Sequence, residues 1–165
     1  MPEVIKNNED LLLINDELVN KIKMESQKSD RNIARLLMHK SHDDLVQEML
    51  IAMCKDSCII PNRCEGKSES LQIIEGRLLI VIFDECGVPI KKVEMSQFGS
   101  GKVSLYRMSS TPWHTMIPLS NSVVVHEVIE GPFSNVSDPI PDWIPNDHGK
   151  LASFIRDLKI NAIEP

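Results

Sequence analysis

The spacing of apolar residues along the chain changes once, close to residue 55. From Asn8 to about Lys28, apolar residues recur every three or four positions, which is the spacing of one face of an amphipathic helix. Ser41 has the chemistry of an N-cap, and helical spacing follows it at Leu45, Val46, Met49, Leu50 and Met53. The pattern therefore predicts two helices, both ahead of every strand.

Beyond Lys55, short β-rich stretches alternate with turn residues, a pattern typical of a sandwich or barrel. The predicted strands are 57–62, 70–75, 77–83, 88–94, 102–108, 114–117 and 122–130. Helical spacing returns at Leu151, Phe154, Ile155 and Leu158, which predicts a short C-terminal helix. We expect one mainly β domain with three parts: an N-terminal helical arm over 1–54 packed on a barrel, the barrel over 55–147, and a C-terminal helical extension over 148–165.

Length and charge narrow the classes of partner. The chain has 165 residues and a formal net charge of -6, which repels a phosphate backbone, so we expect no nucleic-acid partner. The N-terminus lacks a basic segment followed by an apolar one, and the longest apolar run, from Leu78 to Phe83, is too short to span a bilayer. These features predict a cytoplasmic protein without a membrane partner.

Four cysteines are present, at positions 54, 58, 64 and 86. A reducing compartment and a chain long enough to form a core both argue against a disulfide framework, so reduced thiols are expected. Cys54 and Cys58 are not spaced as in a zinc knuckle, and no second Cys/His pair follows at finger spacing. We expect no structural zinc site there.

One short segment carries candidate chemistry. Residues 61–69, PNRCEGKSE, followed by Gly76, resemble the first cupin motif, in which two histidines one residue apart precede a glutamate and a glycine. Here Asn62 and Cys64 stand at the histidine positions and Glu69 at the glutamate, while His114 matches the histidine of the second motif. Since positions 62 and 64 share one face of a strand, we expect both to enter the barrel, with Glu69 beside them.

More narrowly, residues 11 to 147 resemble the WbuC family of cupin-fold metalloproteins, which is associated with O-antigen and other surface-polysaccharide gene clusters. The matching segments are 35–39, 41–44, 46–47, 76–77, 83–84 with Gly87, 113–115, 127–128, 130–133, and Trp143 with Pro145. The resemblance implies a cupin or jelly-roll β-barrel, a homodimer and a divalent metal bound inside the barrel.

The replaced histidines leave two alternatives for the site. The carboxamide of Asn62 is a weak ligand, whereas the thiolate of Cys64 together with Glu69 and His114 favours zinc over iron or manganese, with a position open for water or substrate. Alternatively the metal is absent, and these four residues form a polar lining in which Glu69 and His114 act as a catalytic acid/base pair or simply hydrogen-bond each other.

Two functions follow from these alternatives. The first is a metalloprotein of surface-polysaccharide biosynthesis that acts on a sugar or sugar nucleotide in the barrel; its candidate nucleotide-binding residues are Arg63, Arg77 and Arg107. The second is a metal-free, non-catalytic cupin that serves as a binding or assembly module. Either way the expected partners are a small molecule and a second copy of the chain.

The sequence leaves the placement of four further residues open. His126 and Glu127 are adjacent on a predicted strand, so one faces inward, and the resemblance favours Glu127. Arg35 and His39 match an N-terminal segment of the family; they either reach the mouth of the barrel or make structural hydrogen bonds.

Overall fold

The computed structural model describes residues 3–133 and 140–160, which contain nine strands and two helices. In chain order these are β1 (Glu3–Lys6), α1 (Asp16–Lys28), β2 (Ile33–Leu37), β3 (Val46–Cys54), β4 (Glu69–Glu75), β5 (Arg77–Phe83), β6 (Pro89–Ser96), β7 (Leu105–Met108), β8 (His114–Pro118), β9 (Ser122–Glu130) and α2 (His148–Ile160). The predicted class, mainly β with one helical region at each end, is confirmed.

The strands form two sheets. One has six strands in the order β1-β2-β3-β9-β4-β7, and the other has three in the order β6-β5-β8. All pairs are antiparallel except β1 with β2. A single bridge between Asn62 and His114 adds one more position beside β8. The interior between the sheets holds the main apolar core, which includes Ile51, Leu71, Ile80, Met116 and Val125.

Each sheet also has an apolar outer face, and a helix covers it. Ile22 of α1 packs with Ala34, Leu50 and Val124 on the outside of the six-stranded sheet. On the outside of the three-stranded sheet, α2 and the segment before it pack against β5 and β8; the buried residues there are Leu79, Val81, Phe83, Trp113, Ile117, Ile144, Leu151, Ile155 and Leu158. The outward side chains of several strands are therefore as buried as the inward ones.

The first and last predicted helices are confirmed, with a later start for the first. Helix α1 begins at Asp16 because the side-chain oxygen of Asn15 accepts a hydrogen bond from the backbone N–H of Leu18 at 3.0 Å, which is N-cap geometry. The predicted start at Asn8 was too early. Helix α2 covers the C-terminal stretch with helical spacing, and the predicted extension to residue 165 ends outside the described residues.

The second predicted helix was wrong, because Val46–Cys54 forms strand β3, paired with β9 along its whole length. Ile51 and Met53 face the core between the sheets, whereas Leu50 and Ala52 face α1. A strand that is buried on both faces reads as a continuous apolar run without a period of two, so it resembles a helical pattern. Strands β1 and β2 also precede it, so the helices do not come before every strand.

Ser41 does not cap a helix. It opens a turn that is held by the buried side chain of Gln47, whose amide nitrogen donates to the carbonyl oxygens of Ser41 (3.1 Å) and Asp44 (2.8 Å). The predicted strand at 57–62 was also wrong, since only Asn62 in it makes a β-bridge. The predicted division of the chain at residues 54 and 147 stays a prediction.

Gly76 permits the sharp connection between β4 and β5. Its φ is +89°, and a Cβ placed on it would lie 2.4 Å from the carbonyl oxygen of Ser122. We expect Gly76→Ala to lower the free energy of unfolding by roughly 3 kcal/mol, because the backbone strain of a left-handed alanine adds to a clash with backbone. Urea denaturation measures this value.

Gly99 is a matched control, since its φ is +86° and a Cβ there would meet nothing within 4 Å. Gly99→Ala carries only the backbone strain, and we expect it to cost about 1 kcal/mol. Equal losses for the two variants would show that the clash at Gly76 has no energetic weight.

Neither of the two helices in the described part of the chain is long and apolar enough to cross a membrane.

Candidate active site

Glu69 and His114 lie together between the two sheets. Glu69 opens β4 and His114 opens β8, so the pair joins the six-stranded sheet to the three-stranded one. The Oε1 atom of Glu69 is 3.5 Å from Nε2 of His114, and each side chain is only 2% exposed. Two ionisable groups 45 positions apart in sequence are thus brought into contact in a site with little water.

Tyr106 completes one side of this pair. It lies on β7 opposite Leu71, on the same inner face as Glu69, and its hydroxyl donates a hydrogen bond of 2.5 Å to Oε1 of Glu69. Burial, followed by the charge of Glu69 and this hydrogen bond, strongly raises the pKa of Tyr106. The phenol therefore stays protonated and holds the Glu69 carboxylate in place.

The backbone selects the tautomer of His114. Its Nδ1 atom is 3.0 Å from the carbonyl oxygen of Pro112, and a carbonyl can only accept, so Nδ1 carries a proton. In the neutral ring, the Nε2 lone pair then faces Glu69. Two acceptors at this distance repel each other unless a proton or a cation lies with them, so the pair is suited to hold either one.

Glu127 is a second carboxyl group between the sheets. It lies on β9 opposite Leu71, whereas the neighbouring His126 faces outward and contacts Glu48 at 2.7 Å. Burial first, and then the negative charge of Glu69, raises the pKa of Glu127 from 4.5 to about 8, while Arg35 acts in the opposite direction. At neutral pH this carboxyl is mainly protonated and can donate a hydrogen bond.

Arg35 supplies the positive charge on the same inner face. It lies on β2 opposite Ile51, a residue of the core between the sheets. Burial lowers the pKa of Arg35, the charge of Glu127 raises it, and Arg31 lowers it. His39, its predicted companion, has a structural contact instead, since its Nδ1 accepts from the backbone N–H of Glu48 at 3.1 Å.

Asn62 and Cys64, the other two predicted ligands, lie closer to the surface. Asn62 pairs with His114 through the backbone, but its side chain is exposed and donates to the carbonyl of Ile60 at 3.1 Å. Cys64 is half-buried in a turn closed by Lys67, and it forms no disulfide. Within residues 3–133 and 140–160, no three His, Cys, Asp or Glu side chains are grouped closely enough to hold a metal. The ligand roles of Asn62, Cys64, Glu69 and His114 stay predictions.

Two of the three predicted nucleotide-binding arginines form ion pairs with nearby glutamates. Arg63 pairs with Glu85 at 2.9 Å and its guanidinium lies 4.8 Å from the ring centre of Trp113, while Arg77 pairs with Glu94 at 3.2 Å. Arg107 is exposed.

Comparison of sequences gives one match. A family model described as "Domain of unknown function (DUF6016)" matches residues 14–95, just under half of the chain. No curated protein matches the sequence.

Comparison of folds gives many matches at low sequence identity. A conserved protein of unknown function from Streptococcus pyogenes, SPY1581, has a TM-score of 0.51 at 11% identity, over 79% of this chain and 96% of that one. Protein SO0799 from Shewanella oneidensis has a TM-score of 0.50 at 8% identity, over 61% and 68%. The Cupin_2 domain of an XRE family transcriptional regulator from Enterobacter cloacae has a TM-score of 0.48 at 13% identity, over 61% and 98%. The chain is thus similar in fold, at low sequence identity, to proteins that include a cupin domain.

Sequence reasoning did not single out Tyr106 as part of the interior between the sheets, and it left the position of Arg35 open. Tyr106 lies in the predicted strand 102–108, but its face is set by pairing with β4. Arg35 lies on a strand that sequence analysis did not predict. The signal that identifies both is the register of the six-stranded sheet, which places them on the face shared with Glu69.

Proposed function

We propose that this cupin binds a small polar molecule in its barrel, a sugar or sugar nucleotide, and that Glu69 and His114 exchange a proton with it as a general acid/base pair. The resemblance to the WbuC family supports a place in surface-polysaccharide biosynthesis. The observation that carries the proposal is the buried contact of 3.5 Å between Glu69 and His114. Such a contact costs free energy unless a proton or another cation is held there.

The surrounding groups give each member of the pair a role. Tyr106 donates to Glu69 and keeps the carboxylate oriented, while the Pro112 carbonyl keeps the His114 ring turned with Nε2 toward Glu69. Protonated His114 can donate from Nε2 to a ligand oxygen, and Glu69 can accept a proton from a ligand hydroxyl or C–H group. The low exposure of both groups strengthens these electrostatic interactions.

A divalent metal fits part of this arrangement. Glu69 and His114 are two adjacent donors, with Oε1 and Nε2 3.5 Å apart, Cys64 is the candidate for a third ligand, and Asn62 is the weakest of the four. Zinc is the ion that this donor set favours, and when bound it would polarise a ligand oxygen as a Lewis acid.

Elemental analysis of the purified protein tests the metal directly. Bound zinc that is lost in Cys64→Ala and His114→Ala would support the ligand assignment, because each variant removes one of three strong ligands. Cys86→Ala and His126→Ala remove the same side chains from positions outside the barrel interior and should leave the zinc content unchanged. If none of these four substitutions changed the zinc content, the ligand assignment would be contradicted.

One observation favours the second function, a metal-free and non-catalytic binding or assembly module. The amide of Asn62 is exposed and already bonded to the carbonyl of Ile60, so it is a poor partner for a metal beside His114. In that case the protein would bind a ligand between its sheets without catalysing a reaction. The predicted homodimer belongs to both functions and stays a prediction.

Proton exchange is the decisive assay for catalysis. The wild-type protein is incubated in D₂O with UDP-glucose, UDP-glucuronate or UDP-N-acetylglucosamine, and NMR follows chemical change or loss of sugar C–H signals. We expect Glu69→Gln and His114→Gln to slow the reaction at least about 100-fold, since each removes a group that carries a proton.

The pair Glu48 and His126 supplies the control. These residues have the same chemistry and a contact of 2.7 Å, but on the outer face of the sheet. Glu48→Gln and His126→Gln should leave the rate unchanged. Binding of a probe without any reaction would favour the non-catalytic module, and no binding of any probe would contradict both functions.

A further inference from the structure

Arg35 carries its charge on the inner face of the six-stranded sheet, unlike the exposed arginines Arg77 and Arg107. Within the described parts of the chain, the Arg35 guanidinium makes no hydrogen bond or ion pair, whereas Arg63 pairs with Glu85 and Arg77 with Glu94. Arg35 is nevertheless half-buried on the inner face of the sheet. A guanidinium in such a place is unfavourable unless an anion compensates its charge.

Glu127 does not compensate the charge of Arg35 through an ion pair. Its negative charge raises the pKa of Arg35, but the two side chains make no ion pair. Because burial and Glu69 hold the pKa of Glu127 at about 8, its neutral form dominates near pH 7. The charge of Arg35 therefore remains available to a ligand.

The register places Arg35 within the same interior as the acid/base pair. The strand order β2-β3-β9-β4 separates the backbones of Arg35 and Glu69 by three strand spacings, about 14 Å at roughly 4.8 Å each. The register aligns Arg35 with Ile73, so Glu69 also lies four residues, about 13 Å, further along β4. Arg35 is paired with the core residue Ile51 of β3, and Glu127 lies on β9, between the strands that carry Arg35 and Glu69. Arg35 and Glu69 therefore lie toward opposite ends of one inner face, and Arg35 is placed to contact an anionic group of a molecule bound in this interior.

We propose that Arg35 binds a carboxylate or phosphate group of the ligand, so that the barrel selects a sugar acid or sugar phosphate over a neutral sugar. This inference rests on the proposed function, since it names the class of ligand that the same site takes. The planar guanidinium, with five N–H donors, matches the paired oxygens of either anion. Its removal should weaken binding by about 10- to 100-fold.

Calorimetric titration with D-glucuronate, D-glucose 6-phosphate and D-glucose tests the inference and separates the two anions. We expect at least one anionic sugar to bind the wild-type protein more tightly than glucose, and Arg35→Gln to abolish that preference. Arg156→Gln removes an exposed arginine of α2, outside the space between the sheets, and should leave it unchanged. Thermal unfolding of Arg35→Gln should show no loss of stability, because an uncompensated charge has been removed.

Equal affinity for glucose and both anions, or an anion preference that survives Arg35→Gln, would overturn the inference. Binding of none of the three sugars would overturn it as well. The proposed function is judged separately, by the dependence of proton exchange on Glu69 and His114. An anion bound through Arg35 with no exchange would keep this inference and contradict the catalytic proposal.

Discussion

Replacing Phe83 with alanine is expected to lower the free energy of unfolding by about 3–5 kcal/mol. Phe83 ends β5, is 2% exposed, and faces the outer side of the three-stranded sheet. Its ring centre lies 5.2 Å from that of Trp143 and 6.0 Å from that of Phe154. Truncation removes these contacts and leaves a cavity between β5 and the rings of Trp143 and Phe154. Urea or guanidinium denaturation measures the loss.

Phe98→Ala makes the same chemical change at a side chain that is 71% exposed. We expect it to alter the free energy of unfolding by less than about 0.5 kcal/mol. Hydrogen exchange adds a second readout, since the amides of α2 should lose protection in Phe83→Ala and keep it in Phe98→Ala. Comparable stability of the two variants would mean that the C-terminal helix does not depend on this aromatic cluster.

Glu127→Gln is expected to change how stability depends on pH. A carboxyl whose pKa is higher in the folded state binds its proton more tightly there, so its contribution is complete below the unfolded pKa of 4.5 and is lost as the pH rises through about 8. Between these values the wild-type protein should lose up to about 1.4 kcal/mol per pH unit relative to Glu127→Gln. Chemical denaturation at pH 5, 6, 7 and 8 measures the difference.

Glu17→Gln is the control, because Glu17 is exposed at the start of α1 and its carboxylate stays in water in both states. The stability of this variant should follow that of the wild-type protein across the series. If the difference between wild type and Glu127→Gln is constant from pH 5 to 8, Glu127 is ionised in the folded protein at all these values. The neutral carboxyl inside the barrel would then be excluded.

Local patterns predicted the elements that are buried on one face or that are bounded by strong turn residues. Gly76 marks the connection between β4 and β5, and both strands lie close to their predicted bounds. Helix α1 shows the same principle, since its apolar stripe and Asn15 cap are local features. The information for these elements lies within a few neighbouring residues.

The failures at β3 and β2 have one physical cause. Both strands lie between the core and α1, so residues on both faces are apolar, and the alternation that identifies a strand disappears. Pairing with β9 over nine residues then decides the structure of β3. That pairing depends on residues more than 65 positions away, which a local pattern does not contain.

By itself, the sequence determined that the chain is mainly β with helices near both ends, and that Glu69 and His114 are candidate site residues. Only the tertiary structure decided their neighbours: Tyr106, Glu127 and Arg35 share the interior, while Asn62 is exposed. The reason is that a side chain's face follows from strand register, and its charge state follows from burial. Both are properties of the assembled sheets.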